Sequence, residues 1–278
     1  MKYVSVAYQG KSWTGVVTDD AIQLVTEESL ESLLARGADL AALARQAGLP
    51  RLPENEAAYL PLLSRPPKII CVGLNYADHT SESQYEQPDY PTLFLRVGTS
   101  LAAHKAAIER PHISDSLDYE GELAVILGKG GRCIAREQAL SHVAGYSVFN
   151  DGSVREYQFK SPQWTVGKNF DRTGGFGPAL VTPDELPPGA KGLRLETKLN
   201  GRTVQSANTD DMIFDVASLI SIISEAITLE AADVIVAGTP AGIGWAREPR
   251  LLMREGDVCE VTIEGIGTLI NPIADHSR

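Results

Sequence analysis

The stretch that decides the fold lies between residues 118 and 151. It begins Asp118-Tyr119-Glu120-Gly121-Glu122-Leu123-Ala124-Val125-Ile126-Leu127-Gly128 and resumes, after a polar connector, as Val143-Ala144-Gly145-Tyr146-Ser147-Val148-Phe149-Asn150-Asp151. Leu123 to Leu127 is a short apolar run closed by Gly128 and Lys129-Gly130-Gly131, the pattern of a buried strand followed by a turn. If Glu120 and Glu122 belong to that strand, its period of two sets both carboxylates on one face, roughly 7 Å apart. Asp151, ending the next strand-like run, offers a third. Carboxylates gathered this way repel unless a cation or a proton sits between them. Three oxygen ligands with no His or Cys nearby describe a hard-cation site, Mg²⁺ first and Mn²⁺ or Ca²⁺ next. Taken alone, a Glu-x-Glu pair is an ordinary solvated strand edge, so the neighbouring sequence has to carry the reading.

The 278 residues can bury a large core, as one big domain or two unequal ones. The formal net charge of −11 argues against nucleic acid or an anionic membrane as partner. No apolar run reaches transmembrane length, and Met1-Lys2-Tyr3-Val4 lacks the layout of a signal peptide, so the expectation is a cytoplasmic protein. Cys71, Cys133 and Cys259 are odd in number, far apart and set in apolar surroundings, which predicts free thiols.

Residues 3–8 and 13–18 alternate around Gln9-Gly10-Lys11 as a hairpin, and Ala21 to Val25 adds a strand. Leu30, Leu33, Leu34, Leu40, Leu43 and Ala44 fall at helical spacing, broken at Gly37. Five prolines between residues 50 and 67 suggest a linker, giving an N-terminal β-plus-helix unit over 1–65 and a larger domain over 66–278. Beyond it, Lys68 to Gly73 and Thr92 to Arg96 read as strands. Asn200-Gly201 between alternating runs signals a type I′ hairpin. Ile213, Val216, Leu219, Ile220, Ile223 and Ile227 mark a helix over 213–227. Asp233 to Ala237, Val258 to Ile263 and Gly267 to Ile270 close the chain as strands, and strands in excess of helices favour a mainly β sandwich or roll over a doubly wound sheet. Gly238-Thr239-Pro240-Ala241-Gly242-Ile243-Gly244 lacks the Lys-Ser/Thr ending and following helix of a nucleotide loop, and reads as a tight loop that could offer amides and the Thr239 hydroxyl to a ligand.

Among polar residues, His79 and Glu82 stand three apart just after a strand end. On a helix they share a face, where the carboxylate keeps the imidazole oriented and basic enough to take a proton from water. Arg155 and Gln158 follow Asp151 closely enough that a turn would bring them over the ion to hold a carboxylate or a keto oxygen. His104, His112, His142 and His276 lack such neighbours and read as structural or surface residues.

Four ordered motifs, 70–79 (Ile-Cys-Val-Gly-Leu-Asn-Tyr-Ala-Asp-His), 118–125, 145–151 and 238–244, together resemble the fumarylacetoacetate hydrolase family over roughly residues 66–273. The resemblance implies a mixed β-sandwich roll with a small N-terminal α+β domain, generally a homodimer, and a divalent ion at its mouth. It assigns Glu120, Glu122 and Asp151 as Mg²⁺ ligands, and His79 with Glu82 as a water-activating pair on a lid that orders with ligand. Arg155, Gln158, Lys168 and Thr239 fall around the bound keto acid. Arg96-Val97-Gly98 stands where relatives often carry Lys-Pro-Ser, so Arg96 keeps a charge next to the substrate on an altered loop. The activity implied first is hydrolysis of a C–C bond in a 2,4-dioxo acid of acylpyruvate type, through a metal-stabilised pyruvate enolate whose charge Lys168 helps to carry. The alternative is decarboxylation or isomerisation of oxaloacetate-like or hydroxymuconate-type acids from aromatic catabolism. In each case the partner is a small dicarboxylate or keto acid, with no nucleic acid and no membrane. A non-catalytic, metal-stabilised binding module is the rival from another class, and it leaves His79, Glu82 and Lys168 without a task.

Overall fold

The computed structural model describes the chain apart from residues 20, 46–47, 83–88 and 277–278, and gives the backbone alone at 80 and 81. Strands β1 (Lys2–Tyr8), β2 (Lys11–Thr18) and β3 (Ala21–Thr26) form the expected N-terminal meander, followed by α1 (Leu30–Ala35) and α2 (Leu40–Ala44). The break at Gly37 has a local cause: Gly37 takes φ +65 and Asp39 caps α2 by accepting from the Ala42 amide. Residues 50–67, expected as a linker, carry two short strands instead. Arg51–Pro53 pairs with β3, and Ala58–Tyr59 pairs with β1. Prolines are tolerated there because these strands lie at edges, where a missing amide costs little.

Next come β4 (Ile69–Gly73), α3 (Ala77–Glu82), β5 (Thr92–Arg96), β6 (Gly121–Leu127), β7 (Val143–Asp151), α4 (Arg155–Gln158), α5 (Thr165–Lys168) and β8 (Gly174–Val181). The remainder is β9 (Arg194–Leu199), β10 (Arg202–Asn208), α6 (Val216–Ala226), β11 (Val234–Val236), β12 (Val258–Ile263) and β13 (Gly267–Asp275). Asn200 and Gly201, at φ 52 and 76, make the tight β9–β10 turn that their sequence predicts. Helix α6 begins later than its apolar spacing suggests. Asp215 caps it by accepting from Ser218, and Ile213 spends its amide on the Asn75 carbonyl.

Among the described residues one large mixed sheet runs β3–β2–β1–β8–β7–β6–β11–β4–β5, joined to the N-terminal meander where Lys2 and Tyr3 pair with Val181 and Leu180. A smaller sheet, β10–β9–β12–β13, packs on one face. The fold is therefore mainly β, as expected. Strand β6 explains the packing. Leu123, Val125 and Leu127 face the core shared with the small sheet and α6, whereas Ala124 and Ile126 face a second core with Phe149, Phe176, Leu30 and Leu33. A strand covered on both sides reads as an unbroken apolar run. Gly121 lets the two sheets meet, since a Cβ there would overlap the Thr197 hydroxyl. That close approach accounts for the glycine between the two glutamates.

Candidate active site

Glu120, just before β6, Glu122, near its start, and Asp151, at the end of β7, converge because these strands are paired antiparallel in register from Gly121↔Asn150. Their carboxylate oxygens lie within 4.8 Å of one another and all three side chains are buried. Buried carboxylates demand compensation. Lys168, itself 2% exposed, sits between two of them, its Nζ 2.6 Å from Glu120 Oε2 and 2.7 Å from Asp151 Oδ2. Arg155 Nη1 reaches Glu120 Oε1 at 2.7 Å, and Arg96 donates to the other oxygen of Asp151. Glu122 is different. Among the described residues it has no cationic partner, and its Oε2 accepts only from the Gly238 amide at 2.6 Å. Burial, then repulsion from Asp151 and Glu120, pushes its carboxyl well above the usual range. Burial acts in the same direction on Glu120, but there Lys168 and Arg155 outweigh it and hold the carboxyl low. An all-oxygen trio with one uncompensated acid fits a hard divalent cation, which would neutralise what the protein's own bases leave over.

Above the carboxylates lies a cavity of about 340 Å³, lined by Glu120, Glu122, His79, Glu82, Arg155, Gln158, Lys168 and Thr239 among others. One turn of helix, α4, follows the short strand after Asp151 and brings Arg155 and Gln158 to the same wall, the amide oxygen of Gln158 accepting from Arg155 Nη1 at 2.9 Å. His79 and Glu82 share a face of α3. His79 Nδ1 is 3.7 Å from Glu82 Oε2, too far for a hydrogen bond, and Glu82 Oε2 accepts from the Gly242 amide at 2.8 Å. Among the described residues His79 Nδ1 has no hydrogen-bond partner, although it is buried.

Arg96 sits differently from its sequence reading, and Thr239 lines the cavity with its hydroxyl already engaged. Arg96 does not reach the cavity; its donors are taken by Asp151, the Gly152 carbonyl, Thr173 and Ser100, which places it behind the trio as a counterion. The Thr239 hydroxyl donates to the Gly121 carbonyl at 3.0 Å and accepts from Gln205 Nε2 at 2.8 Å, and the Gly238 amide serves Glu122, so this loop braces the trio as well as lining the cavity.

Sequence reasoning passed over several supports. Asp118, completely buried, accepts from Arg155 Nε at 2.9 Å and from the amides of Gly244 and Trp245, tying Arg155 to the 238–245 loop. Its position at the head of the Glu-x-Glu run was the available signal. Asn75 donates to the carbonyls of Ala237 and Phe214 and so fixes the chain entering Gly238. Gln205 comes from the small sheet, and nothing local in the sequence marks it.

Fold and site together define a mainly β protein with a buried carboxylate trio able to hold a cation at the floor of a partly open cavity. The chain belongs to the fumarylacetoacetate hydrolase family: the family model described as fumarylacetoacetate (FAA) hydrolase C-terminal matches residues 68–274. Among curated proteins it is 36% identical to the mitochondrial oxaloacetate tautomerase of Rattus norvegicus, over 93% of this chain and 84% of that one. Among solved structures it resembles the fumarylacetoacetate hydrolase of the psychrophile Exiguobacterium antarcticum, with 37% identity, a TM-score of 0.87, and 99% and 100% of the two chains covered. It is also similar to the maleylpyruvate hydrolase of Sphingobium sp. SYK-6, solved with manganese(II) and pyruvate, at 26% identity and a TM-score of 0.81 with both chains fully covered.

Proposed function

We propose that this chain is a divalent-metal-dependent enzyme acting at C3 of small 2-oxo acids, with keto–enol tautomerisation of an oxaloacetate-like dicarboxylate as its reaction. The observation that carries this reading is the convergence, in one cavity, of the carboxylate trio, Lys168 and the His79 imidazole. The name of the 36% identical relative supports the choice of reaction. Glu120, Glu122 and Asp151 would hold a divalent ion, Mg²⁺ or Mn²⁺, which would supply Lewis-acid stabilisation of developing negative charge. Arg155 and Gln158 orient the substrate carboxylate. Lys168 presents an ammonium that burial disfavours but Asp151 and Glu120 keep protonated, ready to offset negative charge as it develops. His79 exchanges the C3 proton, and Glu82, pinned by Gly242, faces the imidazole without locking it. Residues 1–65 act as an accessory unit: among the described residues none before Val72 lines the cavity.

A second reading, hydrolysis of an acylpyruvate, is favoured by the His79–Glu82 pair, which could equally deprotonate a water aimed at C4. The experiment follows enol loss from oxaloacetate and pyruvate release from acylpyruvates, with Mg²⁺ and with Mn²⁺, for wild type and His79→Ala. Loss of a general base lowers the rate by about 10² to 10⁴, so tautomerisation should fall by that much in the folded variant. Unchanged enol loss in His79→Ala would remove the proton-transfer role, and pyruvate release without enol turnover would select hydrolysis.

A further inference from the structure

Asp118 does not line the cavity and is completely buried, yet both of its oxygens are engaged twice. Oδ1 accepts from the amides of Tyr119 at 2.9 Å and Gly244 at 2.8 Å. Oδ2 accepts from Arg155 Nε at 2.9 Å and from the Trp245 amide at 2.9 Å. A carboxylate taken out of water needs such donors. Their origin is what matters here: one is the guanidinium that faces the cavity, and two belong to the 238–245 loop. Gly244 permits the approach, because a Cβ there would overlap the Leu251 carbonyl oxygen and crowd Asp118 Oδ1. That fit accounts for the last glycine of the 238–244 run.

The next residue grips the same loop with the opposite polarity. The Tyr119 hydroxyl donates to the Gly242 carbonyl at 3.1 Å, and Arg247 Nε donates to it at 3.2 Å. Gly242, held this way, offers its amide to Glu82 Oε2 at 2.8 Å, on the helix α3 that carries His79. Two routes therefore leave one carboxylate. The first runs through Arg155 to Gln158, whose amide oxygen accepts from Arg155 Nη1. The second runs through Gly244 and Trp245 to Gly242, Glu82 and the His79 imidazole.

We propose that Asp118 is a positioning residue that holds the substrate-binding arginine and the proton-transfer helix in one register, acting on Arg155 directly and on His79 through the 242–245 loop and Glu82. This rests on the reading that gives the substrate carboxylate to Arg155 and the C3 proton to His79. Asp118 itself touches neither substrate nor ion; it fixes where the 2-oxo acid lies relative to the imidazole.

The test follows enol loss from oxaloacetate with Mn²⁺ present, resolved into KM and kcat, for wild type, Asp118→Asn, Glu82→Ala and the double variant. Whichever way the new amide turns, its NH₂ group meets a loop amide, and Arg155 loses the charge opposite it. Loss of these charge-assisted bonds should raise KM about tenfold through Arg155 and lower kcat about tenfold through the loop. In the Glu82→Ala background, Asp118→Asn should still raise KM about tenfold but change kcat by about twofold or less, because the second route is already cut. Tyr119→Phe loosens the loop alone, so it should lower kcat about threefold at unchanged KM, and only where Glu82 is present. An equal kcat loss from Asp118→Asn with and without Glu82, or an unchanged KM, overturns the proposal. If Asp118→Asn does not fold, Tyr119→Phe decides: an unchanged kcat, or one lowered equally without Glu82, overturns the loop route and the shared register with it. Wild type without enol turnover overturns the functional reading, and this inference with it.

Discussion

Around the carboxylate trio, Arg96, Asp118, Glu120, Glu122, Asp151, Arg155 and Lys168 all lie buried, most of them tied by ion pairs. In β1–β3 and α1 the ion pairs stay on the surface: Lys11 with Glu27 at 2.6 Å, 62% and 48% exposed, and Arg36 with Glu28. The N-terminal pairs cost little to form and contribute little, since water already solvates both partners. The central ones forfeit most of that solvation, and an apolar cluster of the same volume would often be as stable or more so. Such an arrangement is understandable where charge is needed for chemistry, and it leaves Glu122 as the acid that the protein's own bases do not neutralise.

The sharpest way to break the contrast is to remove one central partner. Lys168→Met strands Glu120 and Asp151 without the ammonium between them, and breaking a buried pair costs about 3–5 kcal/mol. Denaturant unfolding of the metal-free protein should show a loss of that size, partly recovered by Mn²⁺ through binding to the folded state. A Lys168→Met variant as stable as wild type without metal would mean that the cluster is far more hydrated than its burial indicates.

Between the two regions stands His104. Its ring meets Tyr59 edge to face at 4.7 Å, and its Nδ1 accepts from the Ile270 amide. Burial, and then Lys105, pushes its imidazole down to about 4. The unfolded chain protonates a histidine near 6.5, so between those values the unfolded state binds more protons and stability falls with acid. The contribution is complete above about pH 6.5 and is lost as pH drops through the folded value. Lowering the pH from 7 to 5 should remove about 2 kcal/mol through this group, and His104→Phe should flatten that part of the unfolding profile. An unchanged acid slope in the variant would assign the loss to other groups.

The smallest effect belongs to the N-terminal surface. Lys11→Ala should change unfolding free energy by no more than about 1 kcal/mol, and raised salt should shrink even that. A larger, salt-insensitive loss would erase the difference between the two regions.

What could be read from the chain follows the same division between local and distant causes. The β6 strand, the Asn200-Gly201 turn and the segmentation at Gly37 were legible because short-range periodicity and turn chemistry determine them. So was the clustering of Glu120, Glu122 and Asp151, because two adjacent strands in one hairpin set it. The counterion position of Arg96 was not, since it depends on which donors Thr173 and Gly152 present from elsewhere in the chain. The bracing by Gln205 depends on how one sheet lands on the other. The strands at Arg51–Pro53 and Ala58–Tyr59 were hidden by prolines that edge pairing tolerates. Trp164 and Trp245 are far apart in sequence and meet one cavity only through the 238–245 loop and the turn after α4.

The central claim is that the carboxylate trio holds a divalent cation. The most direct measurement is anomalous scattering from crystals soaked in Mn²⁺, for wild type and for Glu122→Gln. Wild type should show a peak bounded by the carboxylates of Glu120, Glu122 and Asp151, and the variant, lacking the uncompensated charge, should lose most of it. A wild-type crystal with no peak between those carboxylates, or a Glu122→Gln peak of equal height, would contradict the account.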